Sequence, residues 1–419
     1  MTSRSRLLVL GAGVIGLSCA WRAACDGWAV TVLDPAPGSG ASWVAGGMLA
    51  PVTEAWPGEE RLLALGVASV HRWPSFAADL AAAAGRPAGL STEGTVVAAT
   101  GSGDRGELDA LAAHLARLDR PVQRLTGREL RRLEPAIGPD VRGGLSVPDD
   151  LAVDNRALLT ALRVAAERAG AVFEARAARL ALDDGERIIG VRCTEGPDVA
   201  TDAVLVCAGA YSGAVHPVLH GLVRPVKGEI LRLAHRAGAF PPPRRTVRAL
   251  VDGRPIYAVP RGVGAHGRVV GAARSGRADG AAPNGRAGDV SRAGLVIGAT
   301  QAETGFDTEV TVAGVRDLLR DAERVLPGIA EYALVESAAG LRPGSPDNLP
   351  LIGALGPHGL FVATGHHRNG MLLAPITADA VVALLGGEPV PGPVRSADPH
   401  RFDTRTLCEE VAGVRVDQR

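Results

Sequence analysis

The stretch from Arg6 to Pro35, RLLVLGAGVIGLSCAWRAACDGWAVTVLDP, constrains this chain more than any other. Leu7 to Leu10 is a short apolar run of the kind that forms a buried parallel strand. A glycine turn follows, Val14 to Cys25 has helical character, and Gly27 suits a helix stop. A second apolar run, Ala29 to Leu33, ends in Asp34. Strand, helix and strand within about thirty residues make a βαβ unit. In that setting GAGVIG has mechanical content. Gly11 permits the tight turn, Gly13 lets backbone approach a pyrophosphate, and Gly16 lets the helix close on the sheet. Phosphate then sits at the helix N-terminus, where free N–H groups and the dipole favour negative charge. Asp34 is placed to accept hydrogen bonds from ribose hydroxyls. A bare GxGxxG is weak evidence; the flanking strands and the acid strengthen it.

The remaining pattern predicts helices over about 60–84, 105–119 and Leu158 to Ala169. AVFEARAARLALDDGERIIGVRCTEG alternates like a hairpin turning at Asp184-Gly185. DAVLVCAGAYSG (202–213) is a second apolar strand running into a glycine turn. RPIYAVPR and LVIGAT have strand character, and VAGVRDLLRDAERVLPG has helical character. GLFVATGHHRNGMLLAPITADAVVALLGG closes the chain as strand, turn and long helix. Residues 273–294 are low in large apolar residues and are expected to form a mobile loop. Near-copies flank it, GRVVGA (267–272) and GLVIGA (294–299), of which the second is the preferred strand.

With 419 residues, 46% of them hydrophobic, the chain is too long for one small core. Zero formal charge and the lack of a basic block argue against nucleic acid or anionic membrane as partners. No segment is expected to span a bilayer, and the apolar run near the start is too short for a signal peptide. The five cysteines, Cys19, Cys25, Cys193, Cys207 and Cys408, have no paired spacing and are expected as buried free thiols. A cytoplasmic protein is the default. His366-His367 has no third ligand at a convincing spacing, so no metal is expected.

Three glycine-bearing strand ends, one at the very N-terminus and one near the C-terminus, suit FAD better than a shorter cofactor. A helix starting near Gly370 would aim its positive end at the flavin pyrimidine ring.

Several blocks extend this reading: ASWVAGGMLAPVTE (41–54), RPVKGEILRL (224–233), YAVPR (257–261), GATQAETGFD (298–307), AGLRPGSPDNLPLIG (339–353) and ATGHHRNGMLLAP (363–375). With them the chain resembles, nearly end to end, the glycine oxidase branch of the D-amino-acid oxidase family, associated with thiamine biosynthesis. The resemblance implies an α/β (overall α+β) fold with an FAD-binding Rossmann-like domain and a mostly antiparallel substrate domain. The first would comprise 1–84, 148–222 and 339–419; the second, 85–147 and 223–338. It implies oxidation of glycine or a small amine such as sarcosine by hydride transfer to FAD, and reoxidation by O2 to hydrogen peroxide. The imine would hydrolyse to glyoxylate and ammonia or pass to a thiazole synthase. A homo-oligomer is also implied.

By that resemblance Arg342 is the carboxylate clamp, Tyr257 donates to the same carboxylate, and Arg368 is a second active-site arginine. Gln301 faces the substrate. The cofactor would be held by Gly11, Gly13, Val14, Ile15, Gly16, Asp34, Ser42, Gly47, Met48, Ala178, Ala208 and Gly209. Arg342, His367, Arg368, Asn369, Gly370, Met371 and Leu372 complete the set. His367 stands where relatives carry an aromatic residue. A guanidinium fork held by a proline-glycine turn suits a carboxylate, which it grips by two parallel hydrogen bonds. No catalytic base is needed, since the neutral amine's lone pair assists hydride departure.

Other residues have plainer readings. Lys227 could promote electron transfer to oxygen, but a structural ion pair, for instance with Glu229, is preferred. Ser212 lacks a nucleophile elbow and is expected to cap a helix. Trp43 and Trp56 are expected to pack against the flavin loop. Alternatives to a glycine oxidase are an oxidase or dehydrogenase for a different amine, a non-catalytic flavin-binding subunit, and an NAD dehydrogenase.

Overall fold

A computed structural model describes residues 5–184, 187–262 and 294–402. The 273–294 loop (but for Gly294), GRVVGA, Gly185 of the predicted hairpin turn and Cys408 lie outside them. Two large sheets organise the chain. In the first, of six strands, Arg6–Leu10 lies between Ala203–Val206 and Ala29–Leu33, all parallel. Val172–Glu174 extends one side, and Leu360–Thr364 with an antiparallel Leu351–Ala354 extends the other. Leu8, Val9, Val204, Leu205 and Val206 are essentially inaccessible, because both faces of this sheet are covered. The helices Val14–Cys25, Asn155–Arg168 and Gly370–Leu385 cover one face; the Ala178–Leu182/Ile188–Cys193 hairpin packs on the other.

The second sheet has eight strands, all pairs antiparallel except Thr246–Val251 with Thr95–Ala99. The expected α/β plus mostly antiparallel architecture is therefore present. Along Arg224–Ala234 the strand period of two separates two sets of side chains. Arg224, Val226, Gly228 and Ile230 face a large cavity, whereas Leu231 and Leu233 join the core under the helix Val312–Val325. Ala333–Gly344 pairs along the whole length of Arg224–Ala234 and runs unbroken through residue 339, where the expected domain boundary lies. Gly294–Gly298 is a central strand of this sheet, as preferred for GLVIGA.

Several expectations need correction. The single helix over 60–84 is two, Glu60–Val70 and Trp73–Ala84, because Pro74 lacks the N–H that a continuous helix needs and instead occupies the first turn of the second. The helix placed at 105–119 spans Ser102–Arg117. One helix, His367–Leu385, has the length and apolar character to cross a bilayer, contrary to the expectation. Its Leu373, Ile376, Ala380 and Val381 are fully buried, so it serves as a core helix packed on Val14–Cys25. Cys19 and Cys207 are buried, but Cys25 is exposed and Cys193 half-buried. Ser212 caps no helix: it sits within the Gly209–Ala214 turn, where its hydroxyl donates to the Gly209 carbonyl and bonds the Thr364 hydroxyl.

Candidate active site

A continuous cavity of about 1120 Å³ runs between the two sheets, from Asp34 and Ala178 at one end to Tyr257 and Arg342 at the other. Local backbone builds the first end. Gly11 has φ +112°, in the region that glycine favours, and a Cβ there would run into the Cys207 carbonyl. Gly16 does not line the cavity; a Cβ on it would meet the Gly11 carbonyl, so it serves helix–strand closure as expected. Val14 N donates to Ser42 Oγ at 3.0 Å, tying the glycine turn to the Ala41–Met48 segment. Asp34 accepts from Ala12 N at 2.7 Å and from Ala36 N at 2.8 Å, which orients the carboxylate in the cavity wall. The start of the second long helix, at Gly370, packs beside Val14, so two helix N-termini converge on the cavity. Gly13, Val14, Ile15, Ser42, Gly47, Met48, Ala178, Ala208, Gly209, His367, Arg368, Gly370 and Met371 all line it. Asn369 and Leu372 do not. They lie behind Arg368, around a separate void of about 10 Å³. A glycine cradle, a strand-end acid and converging helix starts along one elongated cavity fit FAD.

Side chains from distant segments build the other end. Tyr257 stands in a slot between two glycines: a Cβ on Gly46 would lie 2.7 Å from its hydroxyl, and one on Gly298 would run into it. Burial raises its pKa; the Arg342 charge opposes this and that of Glu54 reinforces it. Arg342 lies over the backbone of Gly228, where any Cβ would meet its guanidinium. It donates to the Thr300 carbonyl at 3.2 Å and more weakly to that of Lys227 at 3.4 Å. Among the described residues it has no acid partner. Arg368, by contrast, is paired with Glu59 at 2.5 Å and Glu54 at 3.5 Å. Glu54 also pairs with Arg248, which faces the same space from the strand next to Tyr257.

His367 lines this end in a left-handed conformation, φ +45°. Burial, together with the charges of Arg368, Arg342 and Arg224, depresses its pKa to about 3, so it is neutral at physiological pH. Gln301 lines the cavity and is exposed, as are Trp56 and Tyr211, the latter stacked on the exposed Phe306. Trp56 itself lines the cavity, and Trp43 packs under the Arg156 guanidinium at 4.3 Å. Lys227 is ion-paired, as preferred, but mainly to Asp307 at 2.5 Å, with Glu229 at 3.7 Å. The described residues contain no group of three His, Cys, Asp or Glu side chains placed to hold a metal.

Sequence reasoning missed the supports of this end. Asn155, fully buried, donates to the Ser42 and Trp43 carbonyls and accepts from Arg232 at 3.0 Å and, at 3.4 Å, from Arg261. Arg261 in turn donates to the Gly46 carbonyl at 2.6 Å. Together they pin the segment that carries Ser42 to Met48. Gly228 alone left a trace, as a glycine inside a strand, which marks a close approach.

Comparison with known proteins agrees with this geometry. The family model described as FAD dependent oxidoreductase matches residues 6–384. A glycine oxidase of Pseudomonas aeruginosa is 30% identical over 405 residues, covering 95% of this chain and 99% of that one. The bifunctional protein ThiO/ThiG of Synechocystis is 29% identical over 409 residues; the alignment covers 97% of this chain but 55% of that relative, so the chain spans about half its length. Among solved structures, the glycine oxidase of Geobacillus kaustophilus superposes with a TM-score of 0.80 at 28% identity, covering 95% of this chain and 99% of that one.

Proposed function

The chain belongs to the FAD-dependent oxidoreductase family, and on that premise we propose that it oxidises glycine or a small N-substituted glycine such as sarcosine, with O2 as electron acceptor. The observation that carries this reading is Arg342, a guanidinium facing the cavity with no acid partner among the described residues. Its fork takes the substrate carboxylate, and the Tyr257 hydroxyl, fixed between Gly46 and Gly298, donates to the same group. Two anchored contacts leave the substrate Cα little freedom, so much of the rate gain is orientation. Bound FAD supplies the hydride acceptor. Gly11, Gly13, Asp34, Ser42 and Gly370 would hold it along the cavity. The neutral His367 adds no charge beside the substrate, and no side chain need take the Cα proton, since it leaves with its electron pair. The imine from glycine hydrolyses to glyoxylate and ammonia or passes to a thiazole-forming partner; that from sarcosine hydrolyses to glyoxylate and methylamine.

The test is the holoenzyme in air with glycine or sarcosine, followed by peroxide and glyoxylate release. Stoichiometric peroxide supports the proposal. Flavin reduction by bulkier D-amino acids alone would move the assignment to another amine oxidase. Flavin that glycine reduces but air does not reoxidise would make it a dehydrogenase.

A further inference from the structure

The acids of the clamp end carry information beyond the presence of a clamp. Arg224, Arg248, Arg342 and Arg368 all face the cavity there. Arg224 is paired with Glu303 at 3.2 Å, Arg248 with Glu54 at 3.6 Å, and Arg368 with Glu54 and Glu59. Only Arg342 among these four has no carboxylate partner within the described residues. Glu54 occupies a particular place in this arrangement. Its side chain is 13% exposed, it bridges Arg248 and Arg368, and it lines the cavity together with Tyr257.

We propose that Glu54 is a specificity-determining residue that restricts the site to amines bearing a single carboxylate, its own carboxylate filling the place a second one would take. The inference rests on the reading of Arg342 as the carboxylate clamp. A substrate anchored there has one guanidinium to bind. A second carboxylate reaching Arg248 or Arg368 would find both neutralised and would stand against Glu54, a like charge in a partly desolvated space. Repulsion between closely placed like charges at a recognition surface is strongly selective. Glycine and sarcosine avoid it. Iminodiacetate, which differs from sarcosine by one added carboxylate, does not.

Binding and turnover test this separately. In calorimetric titrations of the holoenzyme, acetate should bind and malonate should bind no more tightly. In Glu54→Gln, which keeps the shape, removes the like charge and leaves Arg248 without its acid partner while Arg368 keeps Glu59, malonate should gain on the order of tenfold or more relative to acetate. In turnover, wild-type kcat/KM for iminodiacetate should lie on the order of thirtyfold or more below that for sarcosine, and Glu54→Gln should narrow the gap at least tenfold. Malonate binding tenfold tighter than acetate in the wild type would overturn the proposal, even if the variant failed to fold. So would an unmoved malonate-to-acetate ratio in Glu54→Gln. Failure of the underlying reading looks different: acetate would not bind at all, and neither glycine nor sarcosine would reduce the flavin.

Discussion

The two ends of the cavity are built on opposite plans. The end at Asp34 is made of backbone: Gly11, Gly13 and Asp34 lie within one βαβ unit, and Ser42 follows closely. The end at Arg342 is made of side chains from many separate segments, held by ion pairs such as Arg368–Glu59, whose partners are 309 residues apart. A backbone cradle tolerates almost no added atom but depends little on side-chain identity. A side-chain clamp tolerates small shape changes, yet fails when one charge is lost. Cofactor binding and substrate binding should therefore break independently.

Gly11→Ala gives the largest expected effect on the cofactor end. The new methyl meets the Cys207 carbonyl in a conformation L-residues avoid. The protein should purify without yellow colour and bind added FAD more than about 100-fold more weakly, a loss of some 3 kcal/mol. Gly228→Ala attacks the other end. Its methyl displaces the Arg342 guanidinium, so the purified protein should remain yellow, while KM for glycine rises by roughly 10- to 100-fold, as for a lost charge-assisted contact. Retained colour with lost substrate affinity is the sharpest contrast with Gly11→Ala. Tyr257→Phe removes one hydrogen bond and should lower kcat/KM by about 3- to 10-fold, matching a net hydrogen bond of roughly 1 kcal/mol.

A further effect is read from stability. Burial holds His366 and His367 at about 3 in the folded chain, so between there and the unfolded value of 6.5 the unfolded chain binds more protons. Stability from these groups is present above 6.5 and is lost as pH falls. Asp150, raised to about 6 by burial despite N–H donors from Val52 and Thr53, does the reverse between 6 and 3.8. The net of two histidines against one aspartate is about one proton, or roughly 1.4 kcal/mol of stability lost per pH unit from 6 to 4. Urea melts across that range should show stability falling as pH falls, and His366→Gln should make the fall shallower by about one proton, roughly 1.4 kcal/mol per pH unit.

What could be read from sequence followed the same division. Gly11, Gly13 and Asp34 were legible because their chemistry depends on neighbours within one short unit. Arg342 and Tyr257 became legible only through family resemblance, since nothing near them in sequence explains them. Glu54, Glu59, Arg248, Asn155 and Arg261 went unread: their roles arise from pairings across strands, as with Asn155 and Arg261, 106 residues apart. Lys227 shows the limit in miniature. The preference for an ion pair was right, but Asp307, 80 residues away, outcompetes the nearby Glu229. Long-range geometry likewise made Ser212 a tie to Thr364 rather than a cap.

The measurement that bears most directly on the central claim is anaerobic flavin bleaching by glycine in the wild type and in Arg342→Ala. If Arg342 takes the substrate carboxylate, both proteins will be yellow, glycine will bleach the wild type, and the variant will lose on the order of 100- to 1,000-fold in second-order reduction rate. A variant that is yellow and bleached as readily as the wild type would contradict the account.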